Sequence, residues 1–229
     1  MDRIYAIGDI HGRLDLLERA IAAIGRDVAE HGPAALTVTL GDYVDRGPDP
    51  FGVIERLAAN PFPTDFVALK GNHEELLERF LVEPQIAGTW RRLGCLETLH
   101  SYGVRVADLM MGLNYETASE ALAAALPPAH TAFLRALKTS LDTERYFFCH
   151  AGVRPGVPLD RQSDEDLMWI RDVFLDSTAD FGKIVVHGHT PVPEPDVRAN
   201  RINIDTGAFV TGRLTCIALE AAGYRFLKV

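Results

Sequence analysis

Five short segments of this chain combine glycine with side chains that bind metals or move protons. They are Gly8-Asp9-Ile10-His11-Gly12, Gly41-Asp42-Tyr43-Val44-Asp45-Arg46-Gly47, Gly71-Asn72-His73-Glu74, His150-Ala151-Gly152 and His187-Gly188-His189-Thr190-Pro191. Carboxylates, an amide and imidazoles without a thiolate form a mixed N/O donor set. Such a set suits Mn, Fe or Zn in a reactive site better than a structural zinc. Asp9, His11, Asp42, Asn72, His150, His189 and the neighbouring His187 are more donors than one catalytic ion with open positions needs. Two ions sharing a carboxylate fit better, and Asp42, between the two groups in sequence, is the natural bridge.

Each segment follows an apolar run that reads as a buried strand: Arg3–Ile7, Ala35–Leu40, Phe66–Leu69, Tyr146–Cys149 and Ile184–Val186. In open α/β sheets, ligands bind in the crevice beyond the carboxyl ends of the strands. Glycines there let backbones approach closely. If extended backbone persists past Ile7, Asp9 and His11 project to the same side, and Gly71–Glu74 reads as a third strand-end loop. Between the first strands, Leu14, Leu17, Ile21 and Ile24 predict an amphipathic helix, and Gly32-Pro33 a turn. A second helix is predicted from Pro50 to about Ala59, and a third carries Leu76, Leu77, Phe80 and Leu81.

Residues 83–141 read as helical and strand-poor, an insertion beside the site within one domain spanning 1–229. Thr117 and Glu120 have the spacing of a capping box. Asp166–Arg171 reads as the start of a helix. Arg198–Ile204, Leu214–Leu219 and Tyr224–Val229 follow one another without helices, which predicts antiparallel pairing.

The net charge of −9 argues against a general nucleic-acid surface, while leaving room for a small phosphorylated group held by a few arginines. No apolar run approaches the ~20 residues a membrane span requires, and Met1-Asp2-Arg3 does not open a signal peptide. Cys95, Cys149 and Cys216 are odd in number and far apart, as reduced thiols of a cytoplasmic protein would be.

The first three segments resemble the three signature blocks of the phosphoprotein phosphatase (PPP) family of metal-dependent Ser/Thr phosphatases. His150-Ala151-Gly152 and Gly188-His189-Thr190 resemble its two later histidine blocks. The likeness is to the small bacterial and bacteriophage members, and it leaves mainly 83–141 outside the signatures. It implies a calcineurin-like metallophosphoesterase fold: a central β-sandwich of two mixed sheets flanked by helices, with a helical insertion. It further implies that Asp9 and His11 bind one metal, that Asn72, His150 and His189 complete the second, and that Asp42 bridges. His73 matches the family's general acid, Asp45 the residue that orients it, and Arg46 a holder of phosphoryl oxygen. Trp169-Ile170-Arg171 fits a second phosphate-binding arginine, Arg171. Pro191 stands where general metallophosphoesterases carry another histidine ligand, as in the PPP branch.

The implied activity is hydrolysis of phosphoserine, phosphothreonine or other phosphomonoesters, with two divalent ions, Mn before Fe or Zn. A hydroxide bridging two cations ~3.5–4 Å apart would attack phosphorus directly. The close alternative is symmetrical dinucleoside tetraphosphate hydrolysis. Those enzymes typically lack an aspartate at the position of Asp45 and read Gly-Asn-His-Asp, so Asp45 and Glu74 favour phosphomonoester or phosphoprotein substrates. A catalytically silent phosphate-sensing scaffold is the third reading, opposed by the complete set of donors. His187 is expected to line or support the site, Asp205 to serve a turn beside it, and Cys149 to point into the core. His31, His100 and His130 are expected to be satisfied surface or core residues, and Glu97–Tyr102 a packing face.

Overall fold

Alternation along the strands builds the interior. The computed structural model describes residues 3–32 and 36–229, so Met1, Asp2, the turn at Pro33 and the start of the second strand at Ala35 lie outside the described residues. In β1 (Ile4–Ile7), Ile4 and Ala6 enter one hydrophobic cluster while Tyr5 and Ile7 enter another. This is the period-two division expected of a strand buried on both faces. Helix α1 (Leu14–His31) lays Leu16, Leu17, Ala20 and Ile24 against the Tyr5/Ile7 face. Then follow β2 (Leu36–Thr39), α2 (Pro50–Ala58), β3 (Asp65–Ala68) and α3 (Asn72–Val82). Pro50 opens α2, and Asp49 caps it by accepting a 2.8 Å hydrogen bond from Gly52 N.

The insertion holds α4 (Ala87–Trp90), α5 (Cys95–Ser101), α6 (Ala107–Met110), α7 (Tyr115–Ala125) and α8 (Pro128–Ala136). Its Trp90, Leu99, Leu122 and Leu134 share one cluster with Tyr43, Val53 and Phe80. The Thr117/Glu120 capping box does not form. Helix α7 begins two residues earlier, behind Asn114 at φ 56°, and Thr117 lies inside it. The insertion's far end is a strand, β4 (Ser140–Asp142).

The second half contributes β5 (Tyr146–Cys149), α9 (Asp164–Trp169), α10 (Asp172–Leu175), β6 (Ile184–His187), β7 (Asp196–Val197) and β8 (Arg201–Asn203). It closes with α11 (Ala208–Thr211), β9 (Cys216–Glu220) and β10 (Gly223–Leu227). Helix α9 ends at Trp169, so Arg171 lies beyond it rather than within a helix that starts at Asp166. Of the expected strand 198–204 only β8 forms, because residues 198–200 are a turn that separates it from β7.

Two five-stranded mixed sheets result, ordered β10-β9-β1-β2-β3 and β4-β5-β6-β8-β7. They enclose a common layer of Ile4, Ala6, Val38, Ile217, Phe148, Val186 and Ile202, a β-sandwich with helices on its outer faces. The C-terminal strands pair antiparallel as expected, β1 with β9 and β9 with β10, but β8 pairs parallel with β6. In register, Ile7 lies beside Thr39 and Thr39 beside Ala68. In the other sheet Phe148 lies beside Val186, and Val186 beside Ile202. The strands of each sheet therefore end level, and the segments after them emerge together. Among the described residues no helix is long and apolar enough to cross a membrane.

The C-terminal hairpin is tied to α1 by Asp27, which is buried. Its Oδ2 accepts from Tyr5 Oη at 2.5 Å and Arg225 Nη2 at 2.6 Å, and its Oδ1 pairs with Arg225 Nη1. Burial pushes this carboxyl upward, but the Arg225 and Tyr5 hydrogen bonds outweigh it and hold it below its ordinary value of 3.8. The stabilisation is therefore complete above that value and is lost as pH falls through the lower, folded-state value. Asp27→Asn should destabilise the protein by about 2 kcal/mol at neutral pH, a gap that closes below about pH 4. Urea unfolding at both pH values checks this, and a gap that persists in acid would contradict it.

Candidate metal centre

The strand ends deliver their side chains through unusual backbone. Of the seven described non-glycine residues with positive φ, five are site candidates: His11, Asp42, Asp45, Arg46 and His189. That conformation is uncommon for residues with a Cβ and marks a place where the surroundings over-determine the chain. At His11, φ is 44°, so the extended backbone expected past Ile7 turns. Gly71 carries no side chain because a Cβ there would stand 2.1 Å from Asp42 Oδ1. Asn72, His73 and Glu74 do not form a loop. They are the first turn of α3, where the His73 N–H has no partner within the helix and donates to Asp42 Oδ1.

Asp42, 2% exposed, stands at the centre. Its Oδ2 is 3.4 Å from His11 Nε2, and its Oδ1 is 3.3 Å from His150 Nε2 and accepts from His73 N at 3.2 Å. His11 Nδ1 lies 2.8 Å from the Val44 carbonyl and His150 Nδ1 2.8 Å from the Leu40 carbonyl. A carbonyl only accepts, so both Nδ1 atoms donate, and in the neutral rings both Nε2 atoms present lone pairs to Asp42. Asn72 Oδ1 lies 3.0 Å from His150 Nε2 and 2.9 Å from His189 Nδ1, and those two nitrogens are 3.1 Å apart. Two groups of donors within ligating reach of one another emerge, His11–Asp42–His73 and Asp42–His150–His189, sharing Asp42. Asp9 lies in neither. Its carboxylate accepts from His189 N at 3.1 Å and is pressed by Asp205.

Burial, then the negative Asp205, drives the Asp9 carboxyl well up, and burial raises that of Asp205. Burial also acts on Asp42, but His150, His73 and His11 outweigh it and hold that carboxyl well below its usual range. Burial works against the His150 cation, yet Asp42 raises it to about 10; burial and His150 together lower His189 to about 2. These opposed shifts follow from carboxylates and imidazoles crowded together in a buried site. Converging lone pairs of this kind suit cations.

Beside this centre His73 Nδ1 meets Asp45 Oδ2 at 2.6 Å. Burial lowers the His73 imidazolium, but Asp42 and Asp45 more than compensate and raise it. Arg46 reaches His11 Nε2 at 3.2 Å and His73 Nε2 at 3.1 Å, and its guanidinium lies 4.8 Å over the Phe209 ring. Arg171 is exposed and donates to Thr190 Oγ1 at 3.1 Å; its charge acts on the His189 ring. Trp169, which donates to Glu75 at 2.5 Å, has its ring 6.3 Å from that of His189.

His187 is not at the centre. Alternation along β6 turns it to the opposite face, 5.0 Å from the Phe174 ring and 3.5 Å from Arg201 Nη1. There burial and Arg201 lower it to about 3. Cys149 points into the core on that same face, and Asp205 Oδ1 accepts from Gly207 N in a tight turn.

Residues 2–214 match the family model described as calcineurin-like phosphoesterase. The chain belongs to the calcineurin-like phosphoesterase family. Among its curated relatives, the asymmetrical bis(5'-nucleosyl)-tetraphosphatase PrpE of Anoxybacillus flavithermus is 26% identical, covering 92% of this chain and 88% of that one. Serine/threonine-protein phosphatase 2 of Escherichia coli K12 is 28% identical, covering 93% and 90%. A cold-active protein tyrosine phosphatase superimposes with a TM-score of 0.65 at 17% identity, over 99% of this chain and 76% of that one, a likeness of fold. A calcineurin-like phosphoesterase works with a dinuclear metal centre, and the two donor groups around Asp42 fit one.

Glu74, in sequence only a family marker, has a large part in the site of this calcineurin-like phosphoesterase. The buried Glu74 carboxylate accepts from Asp42 N at 2.9 Å, Tyr43 N at 2.8 Å, Val44 N at 3.2 Å and Gly71 N at 2.9 Å. It clamps the Asp42 loop to the start of α3. Its spacing of three from Gly71, the N3 place of a capping box, is the signal that points to it. Glu74→Gln leaves amides of that loop unpaired and should cost about 1–3 kcal/mol. Denaturant unfolding would show this, and an unchanged midpoint would mean that the clamp contributes nothing.

Proposed function

We propose that this chain is a metal-dependent phosphatase of phosphomonoesters, phosphoserine and phosphothreonine in proteins among them. The observation that carries this reading is the His73–Asp45 pair at 2.6 Å beside Asp42. A serine or threonine leaving group departs as a strongly basic alkoxide and needs a proton. A nucleotide leaving from an anhydride is a weak base and does not. A buried imidazole fixed by a buried carboxylate is a proton donor suited to the harder task.

In this reading Asp9 and His11 hold one cation, Asn72, His150 and His189 the other, and Asp42 both. Manganese is the first ion to test, with Fe and Zn suited to the same donors. When bound, the pair would supply charge neutralisation and an acidified water. Arg46 and Arg171 hold the phosphoryl oxygens and counter their charge. Arg46 N–H groups face His73 Nε2 at rest, which requires a lone pair there. When a phosphoryl group draws those N–H groups to itself, Nε2 can take up a proton from solvent, and that proton is the one passed to the leaving oxygen. Asp45 keeps Nδ1 as the donor, so the acidic proton sits on Nε2, toward the leaving oxygen.

The three free, buried thiols agree with a reducing compartment such as the cytoplasm. One domain over 1–229 is supported by the cluster that the insertion shares with the first helices.

A second reading, dinucleoside tetraphosphate hydrolysis, is favoured by the curated PrpE relative. Side-by-side assays on a phosphoserine peptide and diadenosine tetraphosphate separate the two. The peptide should be the better substrate, and His73→Asn should lower its turnover by about 10²–10⁴. Preference for the dinucleotide, with its turnover indifferent to His73→Asn, would reverse the assignment. Arg171→Ala should raise the inhibition constant of inorganic phosphate about tenfold; an unaltered constant would point to another arginine.

A further inference from the structure

The helical insertion supplies both remaining hydrogen bonds to the Asp45 carboxylate. Trp90 Nε1, at the end of α4, donates to Asp45 Oδ2 at 2.6 Å, the same oxygen that meets His73 Nδ1. Thr98 Oγ1, on α5, lies 2.5 Å from Asp45 Oδ1 and accepts from Asp45 N at 2.8 Å. A carboxylate only accepts, so the Thr98 hydroxyl must donate to it, and its lone pair then takes the backbone N–H. Thr98 thus grips both ends of Asp45, a residue at φ 70°. Among the described residues neither side chain has another polar partner, and Trp90, Thr98 and Asp45 are each wholly buried. The same segment holds the neighbouring Arg46: Gly94 O accepts from Arg46 N at 3.1 Å, and Leu93 O from Arg46 Nε at 3.3 Å.

We propose that Trp90 and Thr98 are positioning residues for proton donation, and that the insertion aims the His73–Asp45 pair rather than merely flanking the site. The inference rests on His73 acting as the acid. Without the indole N–H or the hydroxyl, Asp45 can rotate about its side-chain bonds. His73 then loses a fixed direction toward the leaving oxygen, and misalignment of this size lowers rates steeply. The penalty falls on substrates whose leaving group needs the proton and spares those whose leaving group does not.

The test compares phenyl phosphate with p-nitrophenyl phosphate, whose leaving group is far less basic, in manganese-loaded wild type, Trp90→Phe, Thr98→Val, Thr98→Ser and His73→Asn. Trp90→Phe and Thr98→Val should lower kcat on phenyl phosphate about ten- to a hundredfold, with much smaller losses on p-nitrophenyl phosphate and KM little changed. Thr98→Ser, which restores the hydroxyl, should recover most of the rate. In the zinc-loaded, diamagnetic proteins the low-field proton resonance of the His73 Nδ1–H group should broaden or shift in Trp90→Phe and Thr98→Val and return in Thr98→Ser. Equal losses on both esters, or no loss, in Trp90→Phe and Thr98→Val would overturn the inference if His73→Asn itself is leaving-group selective. A His73→Asn enzyme equally impaired on both esters would instead overturn the acid assignment and the inference with it.

Discussion

Carboxylates buried together around Asp42 are the constraint that the rest of the structure answers. Asp9, Asp42 and Asp205 are each 2% exposed, and nothing in a hydrocarbon interior offsets three carboxylates. The protein offers three partial remedies. Imidazole rings border Asp42, the start of α3 turns the His73 N–H toward it, and the backbone N–H of His189 faces Asp9. These leave Asp9 and Asp205 driven upward by burial, a state that divalent cations relieve.

Holding that charge in place demands rigidity from elements far apart in sequence. Level strand ends in each sheet bring the segments out together, and two hydrogen bonds stitch the sheets: His150 to Leu40 O and His189 N to Asp9. Glycines back the loops against one another where a Cβ would strike a carboxylate oxygen, as at Gly71 and at Gly188, where it would stand 2.0 Å from Asp9 Oδ1. Glu74 then fixes the Asp42 loop by its amides, and Trp90 and Thr98 fix Asp45 by its oxygens. The electrostatic centre and the His73–Asp45 pair are therefore held by different parts of the chain, the first by the sandwich, the second by the insertion.

Much of this was readable in the sequence because it is local. A strand followed by glycine and a polar donor announces itself by period and composition, and five such places in order identified the family and the sandwich. What escaped is what only packing decides. Trp90 and Thr98 lie 45 and 53 residues from Asp45, in a segment whose helical period shows a packing face and not what that face touches. His187 sits two residues from His189, a spacing that extended backbone would project to one side, but β6 ends at His187 and His189 stands in a turn at φ 67°, which parts them. The Thr117/Glu120 spacing suggested a helix start that Asn114, in left-handed backbone, took instead.

The pairing of two cations on one shared carboxylate can be counted directly. Chelated protein titrated with Mn²⁺ in a calorimeter is expected to take up two ions per chain, with Asp42→Asn losing high-affinity binding of both. A single ion in the wild type, or two still held tightly by Asp42→Asn, would contradict a centre built around Asp42.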